Sequence, residues 1–306
     1  MKTKTIKILS WNLYNFYDYD YFIKEGFVKD IGESKNFIAQ RLDYFTKKIK
    51  EINPDISYFY EIGDVDLLKK MYGNIFPEFC IFETTPDRRG IRNVILSKEK
   101  LKNEEVFLTD LEIPNFVIDE TPYINKYLVQ KRGYIKTSIN DLNIYAVHLK
   151  SQIASRIKIQ SGEDYEVKNS VEYARSEILG ELIGLAESYG VRKIFSEDIN
   201  NKKSVIAIGD FNADSYSKRL KILRGLRDSD DEMIDIFKVE DSEYYSHVYR
   251  GNKVRLDHAI ASKDIIDKIE NASMEKDLIG VADGLAFIDM KIVGSDHAPI
   301  VFDIEL

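Results

Sequence analysis

Short apolar runs of strand length alternate with longer helical patterns along the chain, and this alternation limits the possible folds more than any other feature. The runs Ile6–Leu13 and Val205–Ile208 are typical of strands that are covered on both faces of a sheet. An amphipathic helix is indicated by apolar residues at helical spacing, at Ile38, Leu42, Phe45, Ile49 and Ile52. Strands interleaved with helices predict an α/β fold with mixed sheets.

The same patterns predict the remaining elements. Strands are expected at Ile56–Tyr60, Phe79–Phe82, Val94–Leu96, Tyr134–Ile139, Ile144–Val147, Tyr244–Tyr249, Leu256–Ala261 and Pro299–Ile304, and helices at Asp64–Met71 and Val171–Ala186. Asp18–Ser34 and Ser151–Asn169 show no clear period, so we expect binding loops there. Because no linker rich in Pro, Gly or Ser divides the chain, we expect residues 1–306 to form a single domain.

The composition excludes several classes of protein. Aromatic residues make up 12% of the chain, too many for a disordered protein, and a single cysteine rules out a disulfide scaffold. A net charge of −8 argues against a passive coat on nucleic acid, but not against an enzyme that binds a cation and acts on phosphate. No targeting segment and no apolar stretch of membrane-spanning length is visible, so we expect a soluble, cytoplasmic protein.

Polar residues of a few chemical types recur where the apolar strands end. They are Asn12, Glu61, His148, Asp210, Asn212, Asp257, Asp296 and His297. Each has an ordinary structural explanation when taken alone, such as a turn, a helix cap or a strand-end hydrogen bond. Ligand sites in α/β proteins form beyond strand ends, so we expect these groups to meet at one rim. Asn12, Glu61 and Asp296 offer the oxygen ligands that Mg²⁺ prefers.

Six short segments, in this order along the chain, resemble the motifs of the endonuclease/exonuclease/phosphatase superfamily. They are Ser10–Leu13, Pro54-Asp55 followed by Glu61, Val147–Ser151, Gly209–Asn212, Leu256–His258 and Ser295–Pro299. This superfamily includes pancreatic deoxyribonuclease, apurinic endonucleases, inositol-polyphosphate 5-phosphatases and neutral sphingomyelinases. The resemblance extends over nearly the whole chain. It implies a four-layer sandwich, in which two mixed β-sheets are flanked by helices.

The resemblance also implies a metal-dependent hydrolysis of phosphoesters. Asn12, Glu61 and Asp296 match the metal-site positions, with Mg²⁺ as the implied cofactor and Mn²⁺ as a substitute. Water would attack the phosphorus in line with the leaving oxygen, and the cation would neutralise charge on the phosphoryl group.

The remaining polar residues take roles from the same resemblance. Asp210 matches the residue that orients or deprotonates the attacking water, and Asn212 matches one that hydrogen-bonds the scissile phosphate or the nucleophile. Asp257 matches the partner of His297, and would fix the tautomer of that imidazole and favour its charged form. His148 matches a phosphate-facing acid or electrostatic group. Either Asp210 or His297 could be the general base, and the sequence does not decide between them.

Basic and aromatic residues near the motifs give weaker indications. Asp87–Arg92 resembles a segment of bacterial members in which Arg89 and Arg92 would face the substrate phosphate; the alternative is an exposed hairpin tip. Lys150 lies in the motif that contains His148 and is a further candidate for phosphate binding. Other basic residues expected near the rim are Lys131, Arg132, Arg156 and Lys158. The rings of Tyr14–Phe22 could stack on bases, but packing against the body of the protein is favoured.

Three functions are compatible with these features. The first is a Mg²⁺-dependent endonuclease or exonuclease, with nucleic acid as substrate and no obligate protein partner. The second is a phosphatase or phospholipase that acts on inositol phosphates or sphingolipids, which should show specialised recognition elements such as an exposed apolar hairpin. The third is a binding protein that kept the fold without catalysis, although every matched catalytic position is present. We rank them in this order.

Overall fold

The computed structural model describes most of the chain. The described residues are 4–24, 30–108, 111–112, 117–118, 121–122, 127–128, 132–152, 169–237, 243–249, 251–279 and 293–306. Most of the loop expected at Ser151–Asn169 lies outside the described residues, as do Lys131, Arg156 and Lys158. No helix in the described ranges combines the length and the apolar character that crossing a membrane requires.

The elements are numbered in chain order. The strands are β1 (Thr5–Phe16), β2 (Ile56–Ile62), β3 (Cys80–Glu83), β4 (Arg92–Ser97), β5 (Lys102–Val106), β6 (Leu111–Glu112), β7 (Val117–Ile118), β8 (Thr121–Pro122), β9 (Tyr127–Leu128), β10 (Tyr134–Ile139), β11 (Leu142–Ala146), β12 (Ser204–Asp210), β13 (Met233–Asp235), β14 (His247–Tyr249), β15 (Asn252–Val254), β16 (Asp257–Ser262), β17 (Ile269–Met274) and β18 (Ile300–Glu305). The helices are α1 (Tyr19–Lys24), α2 (Ile31–Ile52), α3 (Val65–Gly73), α4 (Ser170–Asn200) and α5 (Lys218–Arg224), with single 3-10 turns at Ile266–Lys268 and Lys276–Leu278.

Two six-stranded mixed sheets form the centre of the protein. The first has the order β17-β18-β1-β2-β4-β3, and the second the order β13-β16-β12-β11-β10-β5. Each sheet holds one parallel pair, β1 with β2 and β11 with β12, and its other neighbouring strands are antiparallel. A parallel pair needs a long crossover connection, which α2 supplies in the first sheet and α4 in the second.

Alternate residues of the central strands face opposite sides, and this arranges the structure in four layers. In β12, Ile206 and Ile208 lie in the apolar cluster between the two sheets, whereas Val205 and Ala207 lie in the cluster shared with α4 and α5. In β1, Trp11 lies in a third cluster, shared with α2 and α3. The order of layers is therefore helices, first sheet, second sheet, helices. The four-layer sandwich expected from the sequence is confirmed.

The start of the chain differs from the sequence-based expectation. Strand β1 does not end at Asn12 but continues to Phe16 through a break in its pairing register with β2. Asp18–Ser34 is not simply a loop, because it contains α1 and the beginning of α2. The side chain of Asp18 accepts hydrogen bonds from two backbone N–H groups at the start of α1, and Asp30 caps α2. These caps are short-range signals that a search for periodicity overlooks.

Other boundaries also shift. Helix α4 continues to Asn200 rather than ending at Ala186, and only the last part of Tyr244–Tyr249 is a strand. Asp296 and His297 precede β18 instead of beginning it. The edge strands β5 and β17 were not predicted, because they carry many polar residues and few of the apolar residues that mark a strand.

The aromatic run after β1 packs against the protein. The ring of Tyr17 is buried and stacks on the ring of Tyr21, with 3.6 Å between centroids. The hydroxyl of Tyr17 donates a hydrogen bond to the carbonyl oxygen of Arg89 at 2.8 Å. This is the packing arrangement that was favoured over base stacking, and it fixes the Asp87–Arg92 turn beside the end of β1.

Candidate functional site

The predicted site residues lie together where the ends of strands from both sheets meet. Asn12 lies on β1, Glu61 on β2, and Asp210 ends β12. The Nδ2 atom of Asn12 donates a hydrogen bond to Oδ2 of Asp210 at 3.1 Å, which joins the two sheets directly. The hydroxyl of Tyr60 on β2 also crosses the seam, donating to the carbonyl oxygen of Ile208 on β12 at 3.0 Å. The site is therefore built at the seam between the sheets.

Gly209 allows Asp210 to come this close to the first sheet. Its φ of +138° lies in a region that residues with a side chain rarely adopt. A Cβ atom at this position would also overlap the carbonyl oxygen of Val147 and the hydroxyl of Tyr60. A glycine is thus required between the apolar run of β12 and its terminal carboxylate.

Asp210 is buried, and both of its carboxylate oxygens are held. Oδ1 accepts a hydrogen bond from the backbone N–H of Asn212 at 2.9 Å, while Oδ2 accepts the bond from Asn12. The Nδ2 atom of Asn212 donates in turn to the carbonyl oxygen of Leu149 at 3.1 Å, which orients this amide. Burial raises the pKa of Asp210 well above its ordinary value, and the charge of His297 opposes that rise. A carboxyl group with a raised pKa is suited to accept a proton near neutral pH.

His297 forms a buried pair with Asp257. Its Nδ1 atom lies 2.6 Å from Oδ2 of Asp257, and its Nε2 atom lies 4.0 Å from Oδ2 of Asp210. The backbone is fixed by Trp11, whose indole N–H donates to the carbonyl oxygen of His297 at 2.8 Å. Burial lowers the pKa of His297, but the carboxylates of Asp257, Asp210 and Asp296 raise it well above the ordinary value. These carboxylates favour the charged form of the imidazole.

His148 faces the same carboxylate from the other side. It follows β11 and is buried, with Nε2 at 3.6 Å from Oδ2 of Asp210. Its Nδ1 atom lies 3.0 Å from a terminal nitrogen of Arg132, and the edge of Tyr60 packs against its ring. Burial lowers the pKa of His148 well below its ordinary value, and the charges of Arg132 and Arg89 lower it further. His148 and His297 thus meet one carboxylate in different electrostatic surroundings.

The oxygen atoms of Glu61 and Asp296 provide a donor set that fits a hard divalent cation. Oδ1 of Asp296 is buried and accepts no hydrogen bond within the described part of the chain. Burial raises the pKa of Asp296 to about 6, His297 opposes the rise and Glu61 adds to it. A bound cation would supply the missing partner and remove the repulsion between the carboxylates. The side chain of Asn12, on the neighbouring strand, offers a third oxygen.

Glu61 is held in an unusual backbone conformation. Its φ is +60°, and those of Tyr14 and Asn15 at the end of β1 are +50° and +47°. The backbone N–H of Asn15 donates to Oε2 of Glu61 at 3.1 Å. Such conformations are costly and persist only where the surrounding structure enforces them. The strain is located at the candidate cation ligands, where it sets the direction of the Glu61 carboxylate.

The predicted phosphate-binding residues differ in their placement. Arg89 has an exposed side chain, and its charge lowers the pKa of both His148 and Lys150. Arg89 pairs with Asp87 at 3.3 Å, and Arg92 pairs with Glu83 at 2.5 Å. The Nζ atom of Lys150 donates to the carbonyl oxygen of its neighbour Ser151, and burial lowers the pKa of this amine to about 8. Both arginines therefore have acidic partners, and Arg89 and Lys150 lie within electrostatic reach of each other near His148.

Sequence reasoning missed Arg41, a buried arginine of α2. One of its terminal nitrogens donates to the carbonyl oxygens of Leu13 and Tyr14, at 2.6 and 2.8 Å. The guanidinium lies over the rings of Phe37 and Phe45 and within the electrostatic field of the Asp296 carboxylate. It thereby fixes the strained end of β1. The sequence does indicate this role, because Arg41 lies within the apolar stripe of the predicted helix, and a charged residue in such a stripe is expected to be buried.

His247, at the start of β14, is a second residue that was missed. Its Nδ1 atom lies 3.0 Å from the carbonyl oxygen of Asp296, and its ring centroid lies 5.1 Å from that of His297. One atom each of His247, Asp296 and His297 lie within 4.8 Å of one another, close enough for a metal ion. His247 could not be found from sequence, because it lies outside every recognised motif and its contact depends on how the β14-β15 hairpin packs.

Arg219 of α5 holds the loops that carry two of the predicted residues. One terminal nitrogen donates to the carbonyl oxygens of Lys150 and Asn212, at 2.6 and 3.2 Å, and the other donates to Glu181 of α4 at 2.6 Å. The side chain is 1% exposed. It passes over Gly184, where a Cβ atom would overlap the guanidinium. Arg219 therefore couples the rim of the second sheet to the outer helix layer.

Arg219→Met is expected to lower the free energy of unfolding by about 3 kcal/mol, because buried carbonyl groups lose their donor and Glu181 loses its partner. Urea denaturation measures this loss. The matched control is Arg227→Met, since the Arg227 side chain is 90% exposed. The control is expected to change stability by less than about 0.5 kcal/mol. Equal effects of the two substitutions would contradict the role given to Arg219.

Comparisons with known proteins reveal similarity in structure only. No family model and no curated protein sequence matches the chain. An AP endonuclease from Archaeoglobus fulgidus has a TM-score of 0.56 at 14% identity, with 97% of this chain and 98% of that chain covered. An endonuclease/exonuclease/phosphatase family protein from Bacteroides thetaiotaomicron has a TM-score of 0.55 at 14% identity, with 100% and 99% covered. A mannosyl-6-phosphatase from the same organism has a TM-score of 0.54 at 14% identity, with 98% and 99% covered.

These structures match almost the full length of this chain and of their own chains. The motif-based resemblance, drawn from six ordered segments, and the independent match of folds agree. The chain therefore has the fold of the endonuclease/exonuclease/phosphatase proteins.

Proposed function

We propose that the protein is a metal-dependent phosphoric ester hydrolase that cleaves phosphodiester bonds in nucleic acid by in-line attack of water. The observation that carries this proposal is the convergence of His148, His297 and Asn12 on one buried carboxylate, that of Asp210. A base, donors for a phosphoryl oxygen and a set of oxygen ligands are the parts that this reaction needs.

Asp210 is the better candidate for the general base. Its raised pKa favours proton uptake near neutral pH, whereas the carboxylates around His297 keep that imidazole protonated. His297 would then act through its positive charge on the phosphoryl group. The backbone N–H of Asn212 donates to Asp210, and its side-chain amide, which also donates to the carbonyl oxygen of Leu149, would hydrogen-bond the scissile phosphate or the water. The directions of these two pKa shifts support Asp210 over His297, both of which the sequence left open as the general base.

Glu61 and Asp296, with Asn12 beside them, would hold the cation, for which we propose Mg²⁺ with Mn²⁺ as a substitute. When bound, such a cation neutralises charge on a non-bridging phosphoryl oxygen and on the leaving oxygen. Asn12 and Glu61 lie on strands of the first sheet, Asp296 precedes another strand of that sheet, and the proposed base ends a strand of the second sheet. We therefore also propose that residues 1–306 act as a single domain.

Two observations bear on the substrate. Arg89, Arg132 and Lys150 place positive charge beside His148 in a chain whose net charge is −8, which would attract a phosphate-rich polymer locally. One protein of similar structure is an AP endonuclease, which agrees with nucleic acid as substrate. A second candidate is a phosphatase, because another protein of similar structure is a mannosyl-6-phosphatase.

A substrate panel tests the proposal. Supercoiled plasmid, single-stranded DNA, RNA, sphingomyelin, inositol phosphates and a sugar 6-phosphate are incubated with Mg²⁺, Mn²⁺ or a chelator. Cleavage of nucleic acid that stops with the chelator, and decreases steeply with salt, is the expected result. Release of phosphate from the monoesters without cleavage of any nucleic acid would favour the phosphatase instead. Hydrolysis that continues in the chelator would contradict both.

Cation affinity is expected to depend on pH through Asp296. Because the pKa of this carboxyl is raised to about 6, a cation must displace a proton below that pH and meets an ionised carboxylate above it. The affinity for Mn²⁺, measured by calorimetry, should therefore fall by up to about tenfold per pH unit below pH 6 and level off above it. Asp296→Asn should bind Mn²⁺ more weakly and lose most of this dependence. An unchanged affinity in that variant would place the cation elsewhere.

A further inference from the structure

Two buried histidines flank Asp210, but the groups behind their rings carry opposite charges. His148 and His297 point their Nε2 atoms at Oδ2 of Asp210, at 3.6 and 4.0 Å. Behind His297, Nδ1 meets the carboxylate of Asp257 at 2.6 Å. Behind His148, Nδ1 meets the guanidinium of Arg132 at 3.0 Å. The carboxylate favours a proton on Nδ1 of His297, whereas the guanidinium disfavours a proton on Nδ1 of His148.

The contact with Arg132 restricts His148 to one protonation state. A guanidinium has only donors and stays protonated in proteins, so the nitrogen that faces it must accept a hydrogen bond. Nδ1 of His148 then carries a lone pair and the single ring proton lies on Nε2. A doubly protonated imidazole would set two donors against each other at 3.0 Å.

We propose that Arg132 is a positioning residue that holds His148 as a neutral imidazole with its proton on Nε2, directed into the site. The sequence left His148 open as an acid or as an electrostatic group. The contact with Arg132 makes it neither a proton donor to the leaving group nor a cation, but a neutral hydrogen-bond donor. That His148 donates a hydrogen bond to a phosphoryl oxygen rests on the proposed function, whereas the position of its ring proton does not.

The groups around His148 support this state on balance. The ring is 4% exposed, and burial disfavours its charged form. The charges of Arg132, Arg89 and His297 act in the same direction. Asp210 opposes them, but its Oδ2 atom already accepts a hydrogen bond from Asn12. Tyr60 contributes only the edge of its ring.

Nuclear magnetic resonance on the metal-free protein tests the proposal. Long-range ¹H–¹⁵N correlations of ¹⁵N-labelled histidine report which ring nitrogen carries a proton, and are assigned with His148→Gln. The variants are Arg132→Met, which removes donor and charge, Arg132→Lys, which keeps both, and Arg132→Glu, which offers an acceptor instead. Arg89→Met is the matched control, since Arg89 acts on His148 through its charge.

In the wild-type protein and in Arg132→Lys, His148 should stay neutral with its proton on Nε2 through the pH range in which an ordinary histidine becomes protonated. Its pKa should rise by about one unit or more in Arg132→Met, and further in Arg132→Glu, where both ring nitrogens become protonated near neutral pH. Arg89→Met should give a smaller rise and leave the tautomer unchanged. A charged His148 or a proton on Nδ1 in the wild type, or equal shifts in Arg89→Met and Arg132→Met, would overturn the proposal.

The measurement needs neither cation nor substrate, so it separates this proposal from the proposed function. A His148 that behaves as expected in a protein that hydrolyses no phosphoester would overturn the function and leave the proton assignment standing. Phosphoester hydrolysis by a protein whose His148 titrates near its ordinary pKa would overturn the proton assignment and leave the proposed function standing.

Discussion

Asp210→Asn is expected to lower kcat for phosphoester hydrolysis by about 10³-fold, because the amide cannot accept the proton of the attacking water. The substitution keeps the size of the side chain, and its oxygen can still accept the hydrogen bond from the backbone of Asn212. KM should change much less, because Asp210 contributes to the transition state and not to cation binding. Steady-state kinetics on the substrate that the panel identifies measures both constants.

The same substitution should change how stability depends on pH. The folded-state pKa of Asp210 is raised by burial, so the folded protein binds this proton more tightly than the unfolded chain does. Stability is therefore lost as pH rises from the ordinary carboxyl pKa to the raised one, and the ionised carboxylate costs free energy above that range. Asp210→Asn removes this cost, although its new amide N–H groups cannot accept the hydrogen bond from Asn12. The Tm of the variant should therefore compare most favourably with that of the wild type at pH 8, and less favourably as the pH falls.

Asp228→Asn is the control, since the Asp228 side chain is 89% exposed and lies outside the site. It should leave kcat and the pH dependence of Tm unchanged. A variant Asp210→Asn that is active within about tenfold of the wild type would exclude Asp210 as the general base. The role would then pass to another group.

His297→Ala is expected to lower kcat by about 10² to 10⁴-fold and also to reduce stability. The imidazolium that complements the phosphoryl charge is lost, and the buried carboxylate of Asp257 loses its partner at 2.6 Å. Breaking a buried ion pair by removing one member costs about 3 kcal/mol or more. Kinetics and urea denaturation at neutral pH measure the two effects separately.

His258→Gln is the matched control for this prediction. His258 is the chain neighbour of Asp257 and is fully buried, but its ring bonds the carbonyl oxygen of Ala213 at 2.7 Å and not a site carboxylate. Glutamine can still donate that bond. The control should lose stability and keep most of its kcat, so that only His297→Ala combines both losses. Comparable losses of kcat in both variants would mean that packing, not the charge of His297, accounts for the effect.

Strands in the interior were predictable from sequence because burial on both faces leaves an apolar run, as in Val205–Ile208. Edge strands were not predictable, because a strand at the edge of a sheet can consist mostly of polar residues, as Lys102–Val106 does, and then shows no apolar pattern. Helix caps were overlooked because a cap is a single polar residue. The length of α4 was underestimated, since its later turns bury Val191 and Phe195 between polar neighbours rather than in a simple stripe.

Within the site, the residues that stand in ordered motifs were predictable, including Asp257 as the partner of His297. The contacts of residues outside the motifs were not. Arg132 was expected near the rim but not against the ring of His148, and Arg219 was not noticed, because such contacts with a ring nitrogen or carbonyl oxygens depend on how distant loops pack. The site roles themselves, the single domain and the cytoplasmic location stay predictions.

The indole of Trp11 reaches a carbonyl oxygen 286 residues further along the chain, and Asn12 reaches a carboxylate 198 residues away. During synthesis on the ribosome, β1 is made early and can pair with β2, but its other neighbour, β18, is translated among the last strands. The segment with Asp296 and His297 emerges just before β18. A nascent chain therefore cannot complete the candidate site until this segment has been released and packed, and under the proposed function a chain cut short before it should be inactive.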